Sequence, residues 1–133
     1  MSDRFSLVWR ESEPVLEYKL FGYWSVAEAE EWLSAVAVAV AARPPGKWYI
    51  LGDSTQAKAQ SAEVNAIRSR IADITQDAGL AGAVLIVESA TVRIQSQRLI
   101  SKTAHPELYT YVLTPAEAEQ ALQALMARDK TSG

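Results

Sequence analysis

Large apolar side chains occupy every second position in two segments near the beginning of the chain, residues 5–10 and 15–20. A period of two is typical of a strand that turns one face toward a core. Between these segments, residues 11–14 read Glu-Ser-Glu-Pro, a polar sequence that favours a turn. The pattern therefore predicts an antiparallel β-hairpin whose second strand ends at Gly22.

Apolar residues then recur at spacings of three and four in four later segments, which is the pattern of amphipathic helices. Each segment follows a residue that can cap a helix: Ser25, Ser61, Ser89 and Thr114. Ser25 and Thr114 each have a glutamate three residues later, which completes a capping box. Residues 36–40 also alternate as a strand would, but the many alanines and the upstream capping box favour a helix there.

Three further segments are short, apolar and rich in β-branched or aromatic residues, and they lie at residues 48–51, 82–87 and 109–113. They predict three more strands, of which the first is followed by a polar connection over residues 54–60. The element order is then β-β-α-β-α-β-α-β-α, which predicts an α/β fold with a mixed sheet and with helices packed on it. We expect a single domain over residues 1–133, with a polar tail from residue 127.

The composition narrows the functions that this domain can have. Hydrophobic residues make up 49% of the 133 positions, which is enough to fill a core. The chain has no cysteine and one histidine, so thiol chemistry is excluded and a typical zinc site cannot form. A net charge of −3 argues against a nucleic-acid-binding surface. Because no secretory signal or membrane-spanning apolar run is present, the sequence predicts a cytoplasmic protein, and we expect no cofactor.

Three local sequences resemble the SpoIIAA-like superfamily, which includes the STAS domains of anti-sigma-factor antagonists and bacterial relatives of the CRAL-TRIO lipid-transfer type. They are Leu-Phe-Gly-Tyr-Trp-Ser at 20–25, Tyr-Ile-Leu-Gly-Asp at 49–53, and residues 109–118, where a predicted strand runs into Thr-Pro-Ala-Glu-Ala. The resemblance extends over roughly residues 15–125 and implies a SpoIIAA-like (STAS-type) fold. It also implies a bacterial regulatory protein that binds a protein partner.

One motif of that superfamily differs in this chain. STAS proteins that act as phosphorylation switches carry an Asp-Ser-Ser-Gly type motif at the start of the second helix, where a partner kinase phosphorylates the serine. The corresponding residues here are Gln60-Ser61-Ala62-Glu63, so the flanking aspartate and glycine are missing. Glu63 would also repel a phosphate on Ser61. The sequence therefore predicts that Ser61 caps the helix and is not a regulatory phosphosite, as in relatives that lack the motif.

Polar residues at the ends of the predicted elements are candidates for ligand binding. Asp53 and Ser54 follow the carboxyl end of a central strand, the edge at which open α/β sheets hold ligands. Ser61, at a helix start, could hold an anion on free backbone amides. Each residue also has a simpler interpretation, since aspartate and serine commonly stabilise turns and cap helices.

All four tryptophans fall within the first 48 residues, and two of them are candidates for a contact surface. Trp24 lies in a connection and Trp32 lies at the margin of the apolar stripe of its helix, with Tyr23 nearby. Tryptophan and tyrosine are enriched at interfaces, although tryptophan also packs along the margin of a core. The contact hypothesis predicts that Tyr23, Trp24 and Trp32 form a patch for a protein partner or for a second copy of the chain.

Three functions from different classes remain open. The first is a non-enzymatic regulatory or protein-interaction module that works through a protein partner or as a homodimer. The second is a carrier or sensor of a small apolar ligand, which the CRAL-TRIO-type resemblance implies. The third is an enzyme that uses Asp53, Ser54 and His105, but no nucleophile motif, metal-ligand cluster or paired carboxylates mark such a site. The sequence favours the first.

Overall fold

The computed structural model describes residues 3–131. Within them the element order is the predicted β-β-α-β-α-β-α-β-α, with a short 3-10 helix (Pro106–Leu108) before the last strand. The strands are β1 (Phe5–Trp9), β2 (Val15–Gly22), β3 (Trp48–Ala57), β4 (Leu80–Ile86) and β5 (Tyr109–Val112). The α-helices are α1 (Val26–Ala41), α2 (Ala62–Asp77), α3 (Ala90–Ser101) and α4 (Pro115–Thr131). None of these helices is long and apolar enough to cross a membrane.

The strands form one mixed sheet in the order β1-β2-β3-β4-β5. β1 pairs antiparallel with β2, and each later pair of neighbours is parallel. Because β2 to β5 advance in one direction across the sheet, right-handed crossovers place α1, α2 and α3 on the same face. The larger core lies beneath these three helices, and α4 packs on the opposite face.

The helices begin where the sequence predicts, because the capping side chains satisfy backbone amides that have no helical partner. The Ser25 hydroxyl accepts from the Glu28 amide at 3.1 Å, and a Glu28 carboxylate oxygen accepts from the Ser25 amide at 2.8 Å. The Ser61 hydroxyl accepts from the amide three residues later at 3.2 Å. Residues 36–40 lie within α1, so their helical interpretation is confirmed.

β3 is longer than predicted, since residues 54–57 continue the strand instead of forming a polar connection. This end of β3 pairs only with β2, where Phe21 lies opposite Gln56 and Gly22 lies opposite Ala57. The prediction of a connection over residues 54–60 is therefore wrong for its first half. The backbone partner that makes these polar residues a strand comes from β2, and no local pattern reveals it.

α4 is also longer than predicted and continues to Thr131, so the expected polar tail is helical up to that residue. Residues 132–133 of that tail lie outside the described part of the chain. The last turn is held to the sheet by the Tyr49 hydroxyl, which donates to the Asp129 carboxylate at 2.5 Å. Basic residues in this turn suit the negative end of the helix dipole.

Arg10, just beyond β1, ties the hairpin to α4. Its guanidinium forms ion pairs with Glu13, Glu17 and Glu119 at 2.7–2.8 Å. The hydrogen bonds with Glu119 are the largest cause of the raised pKa of Arg10. α4 covers mainly β3, β4 and β5, so the β1 end of the sheet face on which α4 packs stays open. Val8 on β1 is accordingly 61% exposed.

Trp24 and Trp32 are core residues, which corrects their predicted place at the margin of the core. Each is only 3% exposed. Their rings meet edge to face with centroids 6.1 Å apart, and the ring of Phe5 packs on Trp32 at 4.9 Å. β1 provides this cover by pairing with β2, a contact that helical spacing within α1 cannot show. The predicted contact patch is therefore reduced to Tyr23, which is 55% exposed.

Candidate functional site

A cavity of about 70 Å³ lies between the sheet and the three helices α1, α2 and α3. Most of its wall consists of apolar core side chains. Polar side chains enter the wall from five different elements, and they are Tyr18, Ser54, Arg68, Thr75, Ser96 and Tyr109. An apolar wall with a few convergent polar groups is typical of a small-molecule site.

Tyr18 reaches this cavity because its neighbour across the β2–β3 pair is a glycine. Tyr18 and Gly52 are directly paired in the sheet, and a Cβ atom on residue 52 would overlap the Tyr18 ring. The Tyr18 ring also packs edge to face on the ring of Trp32, with ring centroids 5.1 Å apart. Burial raises the pKa of Tyr18, so its hydroxyl is protonated at neutral pH and can donate a hydrogen bond.

Arg68 brings a positive charge into the wall without an acidic partner. It lies on the inward stripe of α2, and its guanidinium donates to the neutral side chain of Asn65 at 3.2 Å. Within residues 3–131 no carboxylate forms an ion pair with Arg68. The side chain keeps some accessible surface, yet loss of hydration is the largest cause of its lowered pKa, and Tyr18 and Tyr111 oppose that effect. A desolvated, unpaired charge is costly to a fold and is therefore a candidate ligand contact.

Two hydroxyls in the wall are free to bind a ligand. Ser54 is 7% exposed, and neither its hydroxyl nor that of Tyr18 makes a hydrogen bond within residues 3–131. No fully enclosed side-chain nitrogen or oxygen in this part of the chain lacks a partner, so both hydroxyls keep accessible surface. Both residues line the cavity, so their hydroxyls are available to a ligand there.

The other polar groups of the wall are already paired with protein atoms. Ser96 and Tyr111 share a hydrogen bond of 3.2 Å between their hydroxyls. The Tyr109 hydroxyl accepts from the Gln76 amide at 3.2 Å. Thr75 donates to the backbone carbonyl of the residue three before it at 2.9 Å. Among the described residues of the wall, this leaves the guanidinium of Arg68, which has no acidic partner, and the hydroxyls of Ser54 and Tyr18 to bind a ligand.

Asp53 and Ser54, which the sequence groups into one candidate site, point to opposite faces of the sheet. This follows from the strand conformation of residues 53–55, in which successive side chains alternate. Asp53 lies on the α4 side, where its carboxylate accepts from the Thr55 amide at 2.9 Å and from the Thr55 hydroxyl at 2.7 Å. Asp53 therefore stabilises its own backbone locally, which is the simpler interpretation of this residue, while Ser54 belongs to the cavity.

Ser61 and Tyr23 lie at the carboxyl edge of the sheet and are joined by the side chain of Gln60. Its amide oxygen accepts from the Trp24 backbone amide at 2.9 Å, and its amide nitrogen donates to the carbonyls of Gly22 and Lys58 at 2.9 and 2.7 Å. Gln60 is 8% exposed, and its bonds to Trp24 and Gly22 cross from one loop to another. The network holds the loop that presents Tyr23 against the start of α2.

His105 belongs neither to the cavity nor to the Gln60 network. Its ring nitrogen lies 3.2 Å from the Glu107 carboxylate, and both side chains are exposed. Asp53 and Ser54 are on other elements, so the structure does not bring together the three residues of the enzyme hypothesis. Among the described residues there is no group of three or more potential metal ligands.

Comparison with solved structures shows that this architecture is a SpoIIAA-like (STAS-type) fold, as the resemblance predicts. The anti-sigma factor antagonist SpoIIAA in its unphosphorylated form matches with a TM-score of 0.59 over 90% of this chain and 96% of that chain, at 15% sequence identity. An anti-sigma factor antagonist from Mycobacterium paratuberculosis matches with a TM-score of 0.55 over 92% of this chain and 97% of its own, at 16% identity. No protein-family model and no curated protein matches the chain.

Sequence reasoning identified Ser54 but missed Tyr18 and Arg68. Arg68 carries a signal that could have revealed it, because it falls within the apolar stripe of α2, four residues after Val64 and three before Ile71. Tyr18 carries no such signal, since an aromatic residue on the inward face of a strand is ordinary.

Proposed function

We propose that this chain is a non-enzymatic regulatory module of the bacterial cytoplasm that acts by binding a protein partner. The observation that supports the proposal is the likeness to two anti-sigma factor antagonists over 90% and 92% of the chain. The same architecture can serve unrelated functions, so the proposal also needs a surface on this chain.

The surface we assign to the partner lies at the carboxyl edge of the sheet around Tyr23 and Ser61. Tyr23 and Val26 are 55% and 45% exposed, an aromatic side chain in the loop before α1 and an aliphatic one at the first residue of that helix. The Gln60 network holds the Tyr23 loop rigidly, which reduces the entropy lost on binding. An exposed tyrosine on a rigid loop is a typical anchor of a protein interface.

A homodimer through the same surface is a version of this proposal in which the partner is a second copy. A carrier of a wholly apolar ligand has less support, because the cavity is small and its wall contains Arg68. An enzyme has least support, because Asp53, Ser54 and His105 lie apart.

Site-specific photo-crosslinking in the native cell tests the proposal. Tyr23 is replaced by p-benzoyl-phenylalanine, and in a matched control the same group replaces Val8, which is equally accessible but lies at the open end of the other sheet face. We expect one discrete adduct from position 23 that is absent from position 8, and its mass identifies a protein partner or a second copy. Adducts that are the same from both positions, or none from position 23, would overturn the assignment.

A further inference from the structure

The cavity beneath α1, α2 and α3 has the features of a site for a small anionic molecule. Within residues 3–131, its wall contains one guanidinium without an acidic partner, Arg68, and two hydroxyls without hydrogen-bond partners, Ser54 and Tyr18. These three side chains come from three different elements, α2, β3 and β2, and converge on one space. We propose that this cavity binds a short-chain monocarboxylate, whose carboxylate pairs with Arg68 and accepts hydrogen bonds from Ser54 and Tyr18.

The charge of the wall selects a singly charged head group. The guanidinium offers a planar pair of donors that matches a carboxylate, and the two hydroxyls can donate to its remaining lone pairs. Arg68 is the only arginine or lysine in the wall among the described residues, and a doubly charged phosphate would keep an uncompensated charge there. The head group is therefore a monocarboxylate in preference to a phosphate or a dicarboxylate.

The rest of the wall selects a short apolar chain. Beside the polar groups it is formed by side chains such as Leu16, Ile50, Leu85 and Ile100, which cannot bond a polar tail. The cavity volume of about 70 Å³ is roughly half that of an engineered cavity that holds benzene. Because benzene has six non-hydrogen atoms, a carboxylate with a one-carbon chain, which has about four, suits such a space.

The inward position of Ser54 supports the site independently of Arg68. It is more than nine-tenths buried, yet its hydroxyl bonds to nothing within residues 3–131. Because the hydroxyl keeps accessible surface, it is available to a molecule that enters the cavity. A ligand carboxylate would supply a hydrogen-bond partner for it.

Calorimetric titration with acetate tests the proposal, with acetamide as the neutral control of equal size and inorganic phosphate as the anion control. We expect acetate to bind with a dissociation constant on the order of 1 mM, because so small a ligand has few atoms to contribute. Acetamide and phosphate should bind at least about tenfold more weakly, since each lacks either the charge or the apolar chain. Equal binding of phosphate, or no heat with acetate up to about fifty times that concentration, overturns the proposal.

Two arginine variants of α2 connect the binding to the site. Arg68→Gln should weaken acetate binding about tenfold or more, while Arg70→Gln, which removes an exposed arginine from the same helix, should leave it unchanged. Ser54→Ala removes the second contact without removing the charge and should weaken binding by a smaller factor. Amide NMR spectra of the free variants show that each is folded. If both arginine variants bind acetate as the wild type does, the cavity is not the site.

Discussion

The backbone amide of Trp24 donates a 2.9 Å hydrogen bond to the side-chain oxygen of Gln60, a residue 36 positions later in the chain. The same side chain donates to the carbonyls of Gly22 and Lys58. One glutamine thus satisfies three backbone groups of two loops that meet at the carboxyl edge of the sheet. Because these loops carry Tyr23 and precede Ser61, the glutamine sets the shape of the proposed partner surface.

Gln60→Ala should lower the free energy of unfolding by about 1–3 kcal/mol, because it leaves the Trp24 amide and two carbonyls without their buried partner. Gln56→Ala is the matched control, since Gln56 is an exposed glutamine four residues earlier, near the end of β3. This variant should lower the free energy of unfolding by no more than about 0.5 kcal/mol. Urea unfolding of both variants gives the comparison. Similar losses in the two variants would show that the network does not stabilise the fold.

Gly52→Ala should destabilise the domain by about 1–3 kcal/mol, because the new Cβ overlaps the ring of Tyr18. The cause can be isolated with a double-mutant cycle in which Tyr18→Leu removes the ring. In that background, Gly52→Ala should cost less than in the wild type, and chemical unfolding of the four proteins measures the difference. An equal cost in both backgrounds would mean that Tyr18 is not what requires a glycine at position 52.

Arg68→Met should raise the free energy of unfolding of the ligand-free protein by about 1 kcal/mol or more, because it replaces a desolvated, unpaired charge with an apolar side chain of similar length. Arg70→Met should change it by less than about 0.5 kcal/mol, since Arg70 is exposed and its ion pair with Glu30 is 3.9 Å long. Thermal unfolding without added carboxylates measures both. Destabilisation by Arg68→Met would instead assign Arg68 a structural role.

Ser61→Ala should cost about 1 kcal/mol of stability, because the first turn of α2 loses the hydroxyl that accepts from the Val64 amide. Ser61→Asp should keep both the stability and the partner adduct from position 23, since aspartate also caps and suits the helix dipole. Stoichiometric phosphate on Ser61 in protein isolated from its native cell would refute the prediction that this serine is only a cap.

The dependence of stability on acid should come from carboxylates whose pKa is lowered in the fold. Hydrogen bonds from Gln123 and then Arg10 lower the pKa of Glu13, and the hydrogen bond from Tyr49 is the main cause of the lowered pKa of Asp129. Their stabilising contribution is present above the ordinary carboxyl pKa of about 4 and is lost as the pH falls through the lower values of the folded state. Urea midpoints between pH 7 and about pH 2 should therefore fall only in the acid range.

The loss of stability at high pH should come from groups whose pKa is raised in the fold. Burial raises the pKa of Tyr18 and of Tyr109. A raised pKa stabilises the fold fully below the unfolded value of about 10, and this contribution is lost as the pH rises through the higher values of the folded state. Absorbance of ionised tyrosine should consequently rise together with unfolding. Full ionisation of the tyrosines at about pH 11 in a protein that keeps its circular dichroism would contradict the buried positions.

The sequence by itself determined the elements and their order, since each rests on short-range physics. Ser25 and Glu28 satisfy each other's amides over one helical turn, and the alternation in residues 5–10 and 15–20 is a property of each strand alone. The mixed sheet with helices packed on it follows from that order, because parallel strands joined by right-handed crossovers have few ways to pack, and the resemblance of three local sequences implied the SpoIIAA-like fold. These features could be predicted because they depend on residues a few positions apart.

Only the tertiary structure decided the sites, because they depend on residues far apart in the chain. Trp32 is at the margin of the stripe of α1, yet pairing of β1 with β2 brings Phe5 over its ring and buries it. Asp53 and Ser54 are adjacent in sequence, yet the length of β3 sends them to opposite faces. Arg68 and Ser54 line one cavity whose existence depends on how three helices pack on the sheet, and no local spacing encodes that packing.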